Sequence, residues 1–242
     1  MSKQASSSVV VRQTQPADFP AIRKLCGIVY PDDEPWGDNE LASHHAVFPE
    51  GQHVAVDTRT SEVVGVTASL KVMWDDYNLT DSYRDFTDSF MFTNHDPAGR
   101  TLYGAEVMVS PQRRGMGIGK KLYQARRDLV RRLGLLRIRA GARLRGYHRY
   151  ASEMTSEEYT LAIIRGDLTD PTLSFQLKQR FRVIGVAPNY LRDDPESLGH
   201  AAVIEWINHN MATRADWRLR NPKFAKPRHP GELTQGRLTT DD

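Results

Sequence analysis

The chain has 242 residues, 39% hydrophobic and 26% charged, a size and mix that fit one soluble domain with or without a tail. Its formal net charge of +3 sets 33 Lys and Arg against 30 Asp and Glu spread along the chain, so a nucleic-acid-binding polycation is not expected. A single cysteine, Cys26, excludes an internal disulfide and a cysteine-rich zinc site, and no run approaches the ~18 apolar residues of a membrane span.

Residues 1–8 contain no apolar signal core and read as a flexible start, so a reducing cytoplasm is the expected compartment. Val9 to Arg12 is a short β-branched strand. Phe19, Ile22, Leu25, Cys26 and Val29 recur at helical spacing within Pro16 to Tyr30, which makes Cys26 a buried structural thiol. Asp38 caps a second helix that runs to Val47 and stops before Pro49. His53 to Asp57 and Val63 to Val72 are strands joined by the polar turn Thr58 to Ser61. Residues 73–100 are polar, acidic and aromatic, and read as an insertion. Thr101 to Val109 is a strand and Gly117 to Leu133 a helix. That helix buries Ile118, Leu122, Ala125, Leu129 and Leu133, and turns Lys120, Arg126, Arg127, Arg131 and Arg132 to solvent. Gly134 ends it, and Leu135 to Ala140 is the next strand. Thr155-Ser156-Glu157-Glu158 is a capping box that starts a helix ending near Gly166. Asp170-Pro171 starts another short helix, with Pro at its first position. Arg182 to Val186 and Ala201 to Ile207 are the last strands. Residues 209–242 form a basic, proline-containing tail without periodicity, mobile from about Leu219.

The densest signal lies between the 101–109 strand and the helix that follows. Ser110-Pro111-Gln112-Arg113-Arg114 leads into Gly115-Met116-Gly117-Ile118-Gly119-Lys120-Lys121-Leu122. Glycines let a backbone approach a ligand closely, and the first amides of a helix lack intrahelical acceptors and carry the positive end of the helix dipole. Such a turn suits a pyrophosphate. The spacing is neither G-x-G-x-x-G nor G-x-x-x-x-G-K-[ST], so the dinucleotide and P-loop readings fail.

The order Val-Ser-Pro-Gln-Arg-Arg-Gly-Met-Gly-Ile-Gly-Lys-Lys-Leu resembles the acyl-CoA loop of the GNAT acyltransferases, Q/R-x-x-G-x-G/A after the fourth strand. Both Arg114-x-x-Gly117-x-Gly119 and Gln112-x-x-Gly115-x-Gly117 fit it. The first is preferred, because Val109, Pro111 and Leu122 then also fall into place. The resemblance covers roughly Val9 to Asn208 and is most specific from Leu102 to Leu122. Leu102-Tyr103-Gly104, Gly146-Tyr147, Phe175-Gln176-Leu177 and Pro188-Asn189-Tyr190-Leu191 resemble a bacterial subgroup in which some members carry a carbon–nitrogen hydrolase domain after the GNAT domain. The chain ends before any such domain, so hydrolase chemistry is not expected.

The resemblance implies an α/β fold, a mostly antiparallel sheet of about seven strands with helices on both faces, occupying 9–208. It implies an N-acetyltransferase that carries an acetyl or other acyl group from acyl-CoA to a primary amine by direct attack in a ternary complex, without a metal. Met108 and Val109 would pair with the pantetheine arm, and a main-chain amide there would polarise the thioester. Arg114, Gly115, Met116, Gly117, Ile118, Gly119 and Lys120 would hold the pyrophosphate.

Glu106 is the leading base. Strand alternation puts it on one face with Gly104 and Met108, and burial in mid-strand would raise its pKa. His95 and His148 are alternatives. For the acid, aligning on Phe181 puts Gln176 where many family members have a tyrosine, and Arg180 where they have glycine. Gln176 supplies no proton, so the role passes to Tyr147, with Tyr150 and Tyr190 as further options. Trp74, Asp75 and Asp76, in the insertion 73–100, would meet a cationic acceptor, whether small molecule or protein. Arg139, Arg143, Arg145 and Arg149 would instead suit a carboxylated acceptor or the 3′-phosphate of CoA. Competing with the enzyme is a non-catalytic acyl-CoA sensor, which the departures at Gln176 and Arg180 keep open. A membrane partner is not expected, nucleic acid is disfavoured, and a homodimer is left open.

Overall fold

A computed structural model of the protein describes residues 8–31, 36–218 and 221–225. Seven strands form one sheet: β1 (Val9–Gln13), β2 (His53–Asp57), β3 (Glu62–Val72), β4 (Thr101–Val109), β5 (Arg137–Arg143), β6 (Arg182–Ala187) and β7 (Ala201–Ile207). Their spatial order is β1-β2-β3-β4-β5-β7-β6. Every neighbouring pair is antiparallel except β4 and β5. The helices are α1 (Phe19–Val29), α2 (Asp38–Val47), α3 (Tyr83–Thr87), α4 (Ile118–Arg132), α5 (Ser156–Arg165), α6 (Leu173–Lys178) and α7 (Arg214–Arg218).

Burial divides the helices between the two faces. Leu129 and Val130 of α4, Ile163 of α5 and Leu173 of α6 join Leu102, Ile138, Ala140 and Ile204 in one core layer. On the opposite face, Ile22 and Leu25 of α1 and Leu41 of α2 meet Val54, Val66 and Met108. Phe86 of α3 packs there beside Leu70, Tyr103 and Val203. Cys26 is buried in the α1 layer, where burial first, and then the Glu106 charge, push its thiol up to about 11. Among the described residues no helix is long and apolar enough to cross a membrane.

The capping box forms as expected: Thr155 Oγ1 accepts from Glu158 N–H at 3.2 Å, and Glu158 Oε2 accepts from Thr155 N–H at 2.8 Å. The regular turns of the short helix after Asp170-Pro171 begin at Leu173, and Asp170 Oδ1 accepts from both the Thr172 and Leu173 amides, the capping bonds expected of an Asp before Pro171. Residues 73–100 fold back on the sheet: Trp74 and Tyr77 stack on Phe86, which stacks on Tyr103. Beyond β7, α7 is helical and Phe224 is buried in the α4–α6 layer, structure that the aperiodic sequence did not announce. The start expected to be flexible and the end expected to be mobile lie largely outside the described residues.

His44 is buried, stacked on Phe92 at 3.7 Å, with Nε2 donating to the Phe90 carbonyl at 2.6 Å. Burial pulls its pKa from 6.5 to about 4. The unfolded chain therefore binds more protons than the folded one between these values, and stability falls as pH drops through that window. Lowering pH from 7 to 4 should lower Tm, and His44→Gln should flatten part of that slope. An unchanged slope in a calorimetric pH series would show that His44 does not couple folding to pH.

Candidate active site

Parallel pairing of β4 with β5 is limited to Thr101 with Arg137, Leu102 with Ile138 and Tyr103 with Arg139. Past Tyr103 each strand keeps only its outer partner: β4 stays on β3 as far as Val109, and β5 stays on β7 as far as Arg143. The strands thus part and leave a wedge. Its β4 wall, Gly104 to Val109, spans about 17 Å at ~3.3 Å per residue.

The open end of the wedge leads to the glycine turn. Gly115 and Gly117 have φ of +78° and +77°, and a Cβ on either would meet nothing within 4 Å. Glycine is needed there for the left-handed backbone, which leaves the turn uncovered. Gly117 caps α4, whose first bond runs from Lys121 N–H to Gly117 C=O at 3.1 Å. The amides of Ile118, Gly119 and Lys120 therefore have no helical acceptor. Gly119 serves a different need, since a Cβ on it would lie 3.1 Å from the Phe175 ring of α6. Arg113 is held by Asp57 at 3.3 Å and Glu62 at 3.6 Å, which ties the turn to the β2–β3 hairpin. Arg114 and Lys120 stay exposed.

Along the wedge wall, simple alternation fails. Ala68 pairs with Glu106 and Ser69 with Gly104, so Ala105 is an extra residue, a β-bulge. Gly104 consequently faces α4, while Glu106 and Met108 face α1; the sequence reading had put all three on one side. Glu106 Oε1 accepts from the Tyr30 hydroxyl at 2.9 Å. Burial pushes its carboxyl above the usual glutamate value, opposed by the Tyr30 bond and by the charges of Arg143 and Arg126.

Arg126 overturns a second expectation. Assigned to the solvated face of α4, it is only 1% exposed. Its Nε donates to Ser69 Oγ at 2.9 Å, and Nη2 donates to the carbonyls of Ala68, at 2.6 Å, and of Glu106. It fills the space above Gly104, where a Cβ would come 2.7 Å from Nη1. A cation from α4 thus grips both sides of the bulge that presents Glu106. The missing sequence signal was positional: Arg126 stands four residues after Leu122 and three before Leu129, inside the apolar stripe.

The Acetyltransferase (GNAT) family model matches residues 18–151. The chain is 42% identical over 200 residues to "Probable hydrolase YhcX" of Bacillus subtilis (strain 168), covering 83% of this chain and 39% of that protein. It is 34% identical over 179 residues to "Uncharacterized N-acetyltransferase YkwB" of the same organism, covering 74% of this chain and 78% of the relative. This chain belongs to the GNAT acetyltransferase family. Its fold also matches a GNAT-like decarboxylase, GphF, solved with isobutyryl-CoA, at a TM-score of 0.70 and 21% identity over 82% of this chain and 98% of that one.

Within this GNAT frame the remaining sequence candidates scatter. Tyr147 lies in the α4–α6 layer, on the opposite side of the sheet from Glu106, and its hydroxyl donates to the Met154 carbonyl at 3.2 Å. Tyr150 packs in the same layer. Tyr190 is on the Glu106 side, its hydroxyl against that of Tyr103 and its ring over Gly141. Trp74, Asp75 and Asp76 sit beyond the end of β3, six residues or about 20 Å along the strand from the Glu106 partner Ala68. Trp74 is capped by Arg139 at 4.2 Å, and Asp75 and Asp76 are exposed. The structure does not bring these three to Glu106.

His95 Nδ1 accepts from Lys71 N–H at 3.1 Å, and His148 Nδ1 contacts the Glu196 carbonyl at 2.8 Å; each has its own local partner. Three of the four arginines are paired: Arg139 with Glu205, Arg143 with Asp194 and Arg145 with Glu196. Gln176, in the family's tyrosine slot, donates from Nε2 to the hydroxyl of Tyr123 on α4 at 3.0 Å, a partnership the sequence reading did not find. Among the described residues no group of three or more His, Cys, Asp or Glu is placed to hold a metal.

Proposed function

We propose that this protein transfers an acetyl or other short acyl group from acyl-CoA to a primary amine by direct attack. The observation that carries the reading is the wedge itself. It joins a turn of unpaired amides, fit for a pyrophosphate, to a buried carboxylate three residues, about 10 Å, back from the Val109 end of β4. A cofactor held at Gly115 to Lys120, with its pantetheine arm running back along this wall, brings its thioester near Glu106. Met108 and Val109 line that path, and the β5-facing edge of β4 offers main-chain groups that no strand uses. The wedge supplies proximity, and a β4 amide supplies a donor for the charge that develops on the carbonyl oxygen.

Glu106 takes the proton that the attacking ammonium must lose. Its raised pKa makes it a stronger base than a surface glutamate, while the Tyr30 bond and the charges of Arg143 and Arg126 oppose that rise. Activity should therefore rise with pH along an acid limb set by Glu106.

Calorimetry of acetyl-CoA with the wild type and Gly117→Trp, alongside thiol release with an amine panel, tests the reading. A side chain at φ +77° costs about 1–2 kcal/mol, and the indole covers the free amides. Loss of binding in the variant together with amine-dependent thiol release by the wild type is the expected result. Equal binding by both proteins would sink the anion-site assignment, and binding without release on any amine would leave only an acyl-CoA-binding module.

A further inference from the structure

Transfer to an amine leaves a thiolate that must gain a proton, and neither Gln176 nor Tyr147 is placed to give one. In the core layer between α4 and α6, where Tyr123 is only 3% exposed, its hydroxyl accepts from Gln176 Nε2 at 3.0 Å. That bond uses an oxygen lone pair and leaves the phenol's own proton, for which no acceptor is present among the described residues. Gln176 is 7% exposed, and its Oε1 is buried without a partner. An unused donor and an orphaned acceptor therefore sit together between α4 and α6, one to two turns into α4 from the glycine turn. Phe175 and Phe181 flank the Tyr123 ring at 5.8 and 5.4 Å and fix its position. Arg126 lies 5.9 Å from the same ring, so one cation stands near both Tyr123 and the bulge under Glu106.

We propose that Tyr123 is the proton donor to the departing CoA sulfur, with Gln176 and Arg126 as its positioning partners. The assignment rests on the acyl-transfer reading above. As the C–N bond forms, the C–S bond breaks and its electron pair leaves on sulfur. The Tyr123 hydroxyl proton goes to sulfur and yields free CoA thiol. The phenolate that remains is stabilised by the Gln176 N–H and the Arg126 charge, then takes a proton from water. The ammonium proton leaves by way of Glu106. Gln176 occupies the slot where the family often has a tyrosine, and here it supports a tyrosine reaching in from the neighbouring helix.

Charged groups around Tyr123 are few: Arg126 and Arg127 on its own helix lower its pKa and Glu106 of β4 raises it, while burial raises it most. The alkaline limb of kcat therefore lies above the ordinary tyrosine value of ~10. Difluorotyrosine placed at 123 brings that limb down into an accessible range.

The test compares wild type, Tyr123→Phe, the difluorotyrosine protein and Gln176→Leu. The expected result is that Tyr123→Phe stays folded with a modestly lower Tm, because Gln176 Nε2 loses its acceptor, and keeps its CoA affinity but loses about 10²-fold or more in kcat. Gln176→Leu should lose less and shift the alkaline limb upward, and the fluorinated protein should shift it downward. A kcat within threefold of wild type in Tyr123→Phe, or a limb unmoved by fluorination, would overturn the assignment. A readout independent of turnover is the ultraviolet titration of the bound CoA thiol. If wild type releases no thiol with any amine, the transfer reading fails. A thiol pKa that still differs between wild type and Tyr123→Phe would then keep Tyr123 on the sulfur, and equal values would remove it.

Discussion

Glu106→Gln is expected to reduce kcat/KM by about 10²–10⁴-fold, the usual contribution of a positioned general base. The amide is isosteric and can still accept from the Tyr30 hydroxyl, which Glu106 now does at 2.9 Å. It also relieves the cost of a charge that burial already disfavours. Tm should therefore hold or rise slightly while activity collapses. The acid limb of the pH profile should vanish with the carboxyl. Affinity for acyl-CoA should be unchanged, because the proposed anion site uses backbone amides beyond the end of β4. A variant that keeps its rate, or loses rate only in proportion to a fall in CoA affinity, would show that Glu106 merely partners Tyr30.

What the sequence disclosed follows a physical pattern. The capping box at Thr155 and the glycine turn were legible because their signals are local: a residue type at a fixed offset forces a dihedral or satisfies a named amide; the ends of β5, read as Leu135 to Ala140, instead fall at Arg137 and Arg143. The seven strands were legible from their apolar, β-branched runs, but the faces of β4 were not. The bulge at Ala105 was not, because Gly104 beside it sits in an otherwise regular strand pattern and no proline marks it. It arises from how β3 and β4 fit over eleven and nine residues, and one extra residue turns every later side chain to the other face. The Tyr123–Gln176 bond joins positions 53 apart and has no sequence signature at all. Tyr147 was favoured for its place after β5, yet the tight turn Tyr147–Arg149 carries it into the core of the opposite layer. The aromatic and acidic residues of 73–100 suggested a cation site by composition, but the rings are spent on packing against Phe86 and Tyr103.

Arg126 shows why a rule based on charge alone misleads in α4, and it yields the second large effect. Arg126→Met keeps most of the side chain's length and removes three donated bonds, to Ser69 Oγ and to the carbonyls of Ala68 and Glu106. The Glu106 carbonyl keeps the Thr67 hydroxyl as a donor at 3.0 Å, while Ser69 Oγ and the Ala68 carbonyl lose theirs at about 1–3 kcal/mol each. Against that loss stands the cost of the cation itself, whose pKa burial pulls down to about 10. At 1.36 kcal/mol per pKa unit this is a penalty of about 3 kcal/mol, which methionine escapes. The two contributions are similar in size, so the net change in stability should stay within about 2 kcal/mol. Catalysis has no such compensation. Without the guanidinium the bulge relaxes, the Glu106 carboxylate and the neighbouring amides move from their set positions, and misplacement of about 1 Å can cost 10²-fold. Loss of the nearby positive charge also raises the Glu106 pKa, so the acid limb should move to higher pH. Arg126→Lys, which keeps the charge but loses the planar fork, should restore the limb more fully than the rate. If instead Arg126→Met unfolds at room temperature, or is active in proportion to its folded fraction with an unmoved limb, Arg126 is a prop for the sheet and nothing more.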